Sequence, residues 1–307
     1  MGGGTYSSTR RLSRAVEKGY ADRDDALTAG LVDKSYRTRN VDQVFKQNRI
    51  HKTMDPNGLD VRESRDSEEH PESIAIIVAL DVTGSMGNVP YSLIKKGLPN
   101  MMETILGKGV KDPQVLFAAI GDHECDQAPL QVGQFESSDE LMDRWLQNVY
   151  LEGCGGGNNG ESYHLAWLLA GYHTSIDCFE KRGKKGFLFT IGDEPVLSNL
   201  PEHDIKNIMG PGQYSKLYAT ELLEKAREKY HVFHIHILET GAGASRRTQD
   251  GWEELMGKNL LKVQRHNEVA ATIANAIVNT YKENEDSKNE TKEESTEEPK
   301  EKTKITL

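Results

Sequence analysis

The segment Asp81-Val82-Thr83-Gly84-Ser85 places one carboxylate and two hydroxyls at alternate positions directly after an apolar run, Ser73–Leu80 (SIAIIVAL). In a chain that leaves a strand still extended, residues i, i+2 and i+4 point the same way, so the three oxygens face one point. Oxygen donors in that arrangement suit a hard octahedral cation such as Mg²⁺, which keeps several waters and needs few protein oxygens. An alternative use is local: Thr83 and Ser85 cap the helix that begins near Asn88-Val89-Pro90. Two further acids stand in equivalent places. The run Gln114–Ile120 passes through Gly121 into Asp122, and Gly186–Ile191 passes through Gly192 into Asp193. Each alone is an ordinary turn residue, but three carboxylates at three strand ends converge if the strands are parallel. His123 and Glu194 follow two of these acids and can bound the same place.

The elements that must hold these residues are apolar runs alternating with amphipathic stretches. Ser73–Leu80, Gln114–Ile120, Gly186–Ile191 and His231–Leu238 are nearly continuous apolar segments of the kind buried on both faces of a parallel sheet. Leu130–Phe135 alternates instead, as an edge strand does. Helical spacing connects Leu93 to Ile105, Leu141 to Leu146, Leu165 to Leu169 and Leu217 to Ala226, and a last helix covers Val269 to about Tyr281. Pro99 interrupts the first of these patterns and should kink or shorten that helix. The expectation is an α/β fold: a doubly wound, Rossmann-like, mostly parallel sheet with helices on both faces. Ligands of such sheets bind beyond the carboxyl ends of the strands, where Asp81, Asp122 and Asp193 lie.

The segment DVTGSM after a buried strand resembles the metal-ion-dependent adhesion site of von Willebrand factor type A (vWA) domains, Asp-x-Ser/Thr-x-Ser. The similarity extends to the order of strands, a Gly-rich loop entering a helix (GCGGGNNGESYHLAWLLA, from Gly153) and the strand FLFTIGDEP, over about residues 73–280. The resemblance implies one short antiparallel edge strand, for which Leu130–Phe135 is the candidate. It also implies a Mg²⁺ or Mn²⁺ site in which Asp81, Thr83 and Ser85 form the first motif and Asp193 the third. The second motif departs from the family: where a Thr is common, Asn159 stands, with Asn158 and Glu161 as neighbours. An Asn carbonyl is still an oxygen ligand, although Asn158 or Asn159 can equally serve as a turn residue and helix cap. Asp122, His123 and Glu194 are expected behind the ligands. The implied function is recognition: the cation accepts a Glu or Asp carboxylate from a partner protein. Intracellular members of the family often act as adaptors beside AAA-type ATPases. A metal-dependent phosphoester hydrolase, or a self-assembling component with a vestigial metal site, is the alternative. No Walker A, GxSxG or Asp-x-Asp pattern favours an enzyme.

The remaining features set the frame. The chain has 307 residues and a formal net charge of -10, which disfavours wholesale nucleic-acid binding. No apolar run is long enough to span a bilayer, and no secretory h-region opens the chain, so membrane insertion is not expected and a cytoplasmic location is. The three cysteines match neither a CxxC pair nor a zinc cluster. Residues 1–52 carry an excess of about five basic groups and form a partly ordered arm, with weak helical periodicity through Leu12, Val16, Tyr20, Leu27 and Leu31. Residues 53–282 form the vWA-like body, and 283–307 a polar, Glu- and Lys-rich disordered tail. Arg246 and Arg247 should face the ligand edge, while His234 and His236, on one strand face, read as packed core histidines.

Overall fold

A computed structural model describes residues 5–39, 46–152, 158 and 160–294. Ten strands occur among them: β1 (Arg62–Ser64), β2 (Ile74–Asp81), β3 (Pro113–Ile120), β4 (Leu130–Val132), β5 (Thr174–Ile176), β6 (Gly186–Gly192), β7 (Asn199–Leu200), β8 (Leu217–Tyr218), β9 (Tyr230–Ile237) and β10 (Leu260–Val263). Six of them form the central sheet in the order β10-β9-β6-β2-β3-β4, and β1 pairs with β5 and β7 with β8 in two small ribbons. Every pair in the central sheet is parallel except β3 with β4. The chain is therefore a Rossmann-like α/β fold with one antiparallel edge strand.

The continuous apolar runs form the middle of this sheet because strands covered on both faces have no polar side to show. Alternate residues of β2 enter opposite cores. Ile76, Val78 and Leu80 pack with Met101, Met102, Ile105, Ile273 and Ile277. Ala75, Ile77 and Ala79 pack with Leu165, Leu169, Leu222 and Trp252. By the same period Asp81 points to the second side, toward the helix His164–Tyr172, which is buried all round from His164 to Gly171.

Two edge features were not legible. β10 is four residues, two half-exposed leucines, the exposed Lys262 and the buried Val263, too short for a period to declare itself. The opposite edge strand β4 is sealed by a side chain: Gln131 donates to the Tyr150 carbonyl (2.9 Å) and accepts from the Tyr150 amide (2.8 Å), standing in for a neighbouring strand. The Val132 amide, in turn, donates to the Met54 carbonyl (2.8 Å).

Pro99 acts on its helix as expected. The element runs as Val89–Ser92, then a π-helical turn Leu93–Gly97, then an α-helix Leu98–Gly107 with the proline in its first turn. Proline has no N–H for the carbonyl four residues earlier, that of Lys95. That carbonyl is met by Arg11 Nη2 at 3.0 Å, from the N-terminal arm.

The arm carries a helix Ser8–Lys18, capped by the Ser7 side chain and closed by Gly19 at φ 78°, and a short helix Arg23–Thr28. The first helix lies on the helix Asp139–Asn148 and turns three arginines onto two buried acids. Arg10 and Arg14 meet Asp139 at 3.0 and 2.5 Å, and Arg11 meets Asp143 at 2.9 Å. Tyr20 OH donates to Asp143 at 3.1 Å. Burial would raise the Asp139 carboxyl, but hydrogen bonds from Arg14 and Arg10 outweigh it and hold it below the usual range. A carboxyl depressed in the folded state contributes stability that is complete above its unfolded value, near 4, and is lost as pH falls through the folded one. The arm is thus expected to stay docked near neutrality and to loosen below about pH 4. Hydrogen exchange of residues 8–20, corrected for intrinsic rates, should accelerate there ahead of the central sheet; equal protection at pH 6 and pH 3 would contradict this.

At the other end the helix Val269–Glu294 continues well into the segment expected to be a disordered tail, and residues 295–307 lie outside those described.

Candidate functional site

The parallel strands β2 and β6 deliver Asp81 and Asp193 to the same sheet edge. Beyond β2 the Val82 amide still bonds to the Ile120 carbonyl (3.0 Å), so the chain stays extended long enough to keep alternate residues on one side. It then tightens into a 3₁₀ turn, Gly84–Met86. The result is a continuous line of oxygens. Thr83 Oγ1 donates to Asp81 Oδ1 (2.6 Å) and lies 3.3 Å from Ser85 Oγ, which donates to Asp193 Oδ1 (2.9 Å). The Thr83 amide also donates to Asp81 Oδ1 (2.9 Å). Neither Thr83 before the 3₁₀ turn nor Asn88 before the next helix makes a side-chain cap, so the hydroxyls face the acids rather than a helix end.

Tyr163 organises this line, and it was missed in the sequence, where a tyrosine opening an apolar helix reads as core. Its hydroxyl donates to Asp81 Oδ2 (2.6 Å) and accepts from the amides of Asp193 (3.2 Å) and Glu194 (3.4 Å). One phenol thus ties the end of β2 to the turn after β6. The only signal available was chemical: a buried tyrosine needs a partner for its hydroxyl. Gly192 gives it room, since a Cβ there would stand 1.9 Å from the Tyr163 oxygen.

Glu161 arrives from the third side. Its amide donates to the Pro195 carbonyl (2.8 Å) and its carbonyl accepts from the Leu197 amide (3.0 Å), fastening it to the loop that carries Asp193. It is 4% exposed. Burial, and then the charges of Asp81, Asp122 and Asp126, raise its carboxyl strongly; burial, and then Asp193, raise that of Asp81.

The other expected residues are placed apart from the line. Asp122 Oδ2 accepts from Asn158 Nδ2 (2.6 Å), which also bonds Glu124 (2.8 Å), while Asp122 Oδ1 takes the Glu124 amide (2.9 Å). His123 turns away: Nδ1 lies 2.7 Å from Ser162 Oγ and Nε2 is 3.9 Å from Asp204. Burial holds its pKa down despite Asp204 and Asp122. Glu194 acts through its backbone, its carbonyl accepting from Trp252 Nε1 (3.0 Å). Asn159 lies outside the described residues. His234 stacks on Trp252 with centroids 3.5 Å apart and meets Thr190 Oγ1 at 2.9 Å, and His236 Nε2 bonds the Gly243 carbonyl (3.0 Å). Burial lowers both pKa values, so these are neutral packing residues. Arg247 lines an open cleft of about 670 Å³ beside the site, together with Glu194, Pro195, Val196 and Trp252, whereas Arg246 reaches Asp250 at 3.8 Å.

Whether these oxygens fit a cation can be judged from what they lack. Asp193 Oδ2 and Glu161 Oε2 are buried with no hydrogen-bond partner, and no salt bridge among the described residues reaches Asp81, Glu161 or Asp193. Asp177 shows the contrast of a buried acid with counter-charges: it bonds Arg65 (2.8 Å) and Lys181 (2.6 Å), and its carboxyl falls to about 2 as hydrogen bonds from Lys181, Asp66 and Arg65 outweigh burial. Buried carboxylates without a counter-charge are costly, and oxygen-only donors of this kind match Mg²⁺. Among the described residues no three His, Cys, Asp or Glu side chains form a ready cage. The line itself consists of two carboxylates and two hydroxyls.

No family model and no curated protein matches the sequence. Solved structures with a similar fold include the pilus adhesin SpaC from Lactobacillus rhamnosus GG in its open conformation. The identity is 11% and the TM-score 0.49, over 71% of this chain and 30% of SpaC, so the chain spans about a third of that protein. Another is the vWF domain of the type V pili tip protein Mfa5 from Porphyromonas gingivalis, at 10% identity and TM-score 0.44, over 76% of this chain and 98% of that one. A third is an aerotolerance-related membrane protein from Bacteroides fragilis, at 12% identity and TM-score 0.40, over 68% and 100%. No helix among the described residues is long and apolar enough to cross a membrane.

Proposed function

We propose that the chain is a cation-dependent protein-interaction module of the vWA type, acting inside the cell as an adaptor or assembly factor. The observation that carries this reading is the line Asp81, Thr83, Ser85, Asp193 at the carboxyl edge of the sheet, with the buried Asp193 Oδ2 left without a partner. These four residues would hold Mg²⁺ or Mn²⁺, and the ion would supply positive charge and an exchangeable position for a carboxylate. The protein's own part is to keep the oxygens in place: Tyr163 fixes Asp81 and the Asp193 turn, while the two hydroxyls add ligands without adding charge. The partner is then a protein offering Asp or Glu; an AAA-type ATPase subunit is suggested by the family resemblance alone. Binding is favoured over hydrolysis because His123 faces Ser162 and Asp204, and the other imidazoles described are held in the core or by other partners.

Calorimetric titration with MgCl₂ or MnCl₂ tests the reading. Asp81→Ala is expected to weaken binding on the order of 100-fold or more, with the circular dichroism spectrum unchanged. Asp81→Asn, which retains an oxygen acceptor for Tyr163, separates ligand loss from local collapse. Capture of an acidic partner should disappear with chelator; capture that survives both chelator and Asp81→Ala would refute the module.

A further inference from the structure

A second cavity, of about 390 Å³, lies at the rim of the central sheet opposite Asp81 and Asp193, where the chain enters β2, β3 and β6. Four basic residues line it, Lys108, Lys111, Arg182 and Lys184, against one acid, Glu72. We infer that this cavity binds a small phosphate monoester, its phosphate on the lysines and its apolar body on the wall formed by Ile74, Val110 and Val278. The inference does not depend on the cation site.

Charge carries it first. The chain as a whole is acidic, at -10, yet cations gather around this hollow. Arg182 is already engaged, Nη1 bonding Asp66 and Nη2 the Ser73 carbonyl, both at 2.6 Å. Lys108 Nζ meets a neutral group, Asn275 Oδ1, at 2.7 Å. Lys111 and Lys184 are exposed and make no ion pair among the described residues. Nearby Lys181 shows the contrast, bonded to Asp177 at 2.6 Å. Three ammonium groups against the single carboxylate of Glu72 leave a surplus of two positive charges around the cavity, which matches the charge of a phosphate monoester near neutrality.

The walls are fixed and partly apolar. Gly109 and Asp112, at φ 85° and 51°, both take the left-handed conformation, and Asp112 is the one non-glycine residue to do so among those described. Such backbone persists where neighbours hold it. Here the Asp112 carbonyl accepts from the Ile74 amide (3.0 Å) and its Oδ2 from the Glu72 amide (3.1 Å), so the turn that bears Lys108 and Lys111 is tied to the start of β2. On the β6 side the Lys184 amide donates to the Cys178 carbonyl (2.8 Å). The helix Val269–Glu294 closes the cavity with Val278 and Tyr281, whose ring packs on Phe187 with centroids 5.6 Å apart. Burial raises the Tyr281 phenol and so keeps it a hydrogen-bond donor. A bare inorganic anion leaves the apolar wall unused, whereas the volume lies within the range of small-molecule pockets, which begins near about 300 Å³.

Isothermal titration calorimetry of the full-length chain with phenyl phosphate, in a buffer free of divalent metals, tests the assignment. Wild type and Asp81→Ala are expected to bind it equally. Lys111→Ala with Lys184→Ala, both exposed positions, should weaken binding about tenfold or more. Lys34→Ala with Lys258→Ala, which removes the same charge from exposed positions elsewhere, should leave it unchanged. Inorganic phosphate should bind several-fold more weakly than phenyl phosphate. A wild type that binds neither probe, equal loss in the two double variants, or equal affinity for the two probes would overturn the inference. Loss of binding in Asp81→Ala alone would move the anion to the cation site and overturn it as well. A hexaglutamate peptide that binds more tightly than phenyl phosphate would replace the small molecule with an acidic protein segment.

Discussion

Alanine at position 192 is expected to destabilise the domain by about 3 kcal/mol, the upper part of the range for overpacking a core. The added Cβ would stand 1.9 Å from the Tyr163 hydroxyl and 2.6 Å from its Cζ, contacts that require movement. The ring has nowhere to go: it is fully buried and packed edge-on against His234 and Trp252, at centroid distances of 5.2 and 5.5 Å. Any displacement also breaks the bond to Asp81 and the two amide bonds at the turn after β6. Stability and cation affinity should therefore fall together. Tyr163→Phe offers the contrast. It removes the hydroxyl with little change in shape and costs about 1–3 kcal/mol for the unsatisfied buried partners. It should not rescue Gly192→Ala, because the ring carbon itself is too close. Urea unfolding of the two single variants and the double decides this, and a Gly192→Ala protein within 0.5 kcal/mol of wild type would show that Tyr163 is not held as described.

The second large effect lies on the far side of the first helix. Deleting residues 1–39 is expected to cost about 3–5 kcal/mol, the usual penalty for removing one side of a buried ion pair. Asp139 and Asp143 are 2% and 3% exposed, and three arginines of the arm neutralise them. Without the arm both carboxylates lose these partners and the cover that Arg10, Arg11, Arg14 and Tyr20 give them, and the Lys95 carbonyl loses Arg11. The cause can be isolated by substitution. Asp139→Asn with Asp143→Asn in the shortened chain should recover the part of the loss that comes from two neighbouring carboxylates left without their arginines. If the shortened chain melts like the full one, the arm is a passenger. If the asparagines recover nothing, its contribution is apolar packing through Leu12, Val16 and Tyr20 rather than charge.

How much of this was readable depended on whether a residue's role is announced by its neighbours in sequence. The four long strands were, because a strand covered on both faces must be apolar throughout, and Ile76 to Leu80 is. The convergence of Asp81, Thr83, Ser85 and Asp193 followed from strand direction and a period of two. β1, β5 and β10 were not readable, being three or four residues long with mixed exposure. Tyr163 was hidden because its hydroxyl answers an acid 82 residues earlier. The arm's basic charge was visible, but not that its targets are buried acids more than 120 residues away. Pro99 pointed to a break in its helix; that the freed carbonyl would be used to seat an arginine of the arm needed the third dimension.

The Gln131 side chain, clasping Tyr150 from the rim of the sheet, bears on how this protein behaves at high concentration. A bare strand edge invites the same edge of another molecule, and fibrils grow from such pairings. Here one rim is three residues long and already occupied by an amide that imitates a strand. The other is four residues long and carries Lys262, engaged with Glu253. Among the described residues the central sheet therefore offers no long bare edge, and Gln131→Val, which releases Tyr150 from the rim while adding β-forming character, is expected to raise light scattering at high concentration.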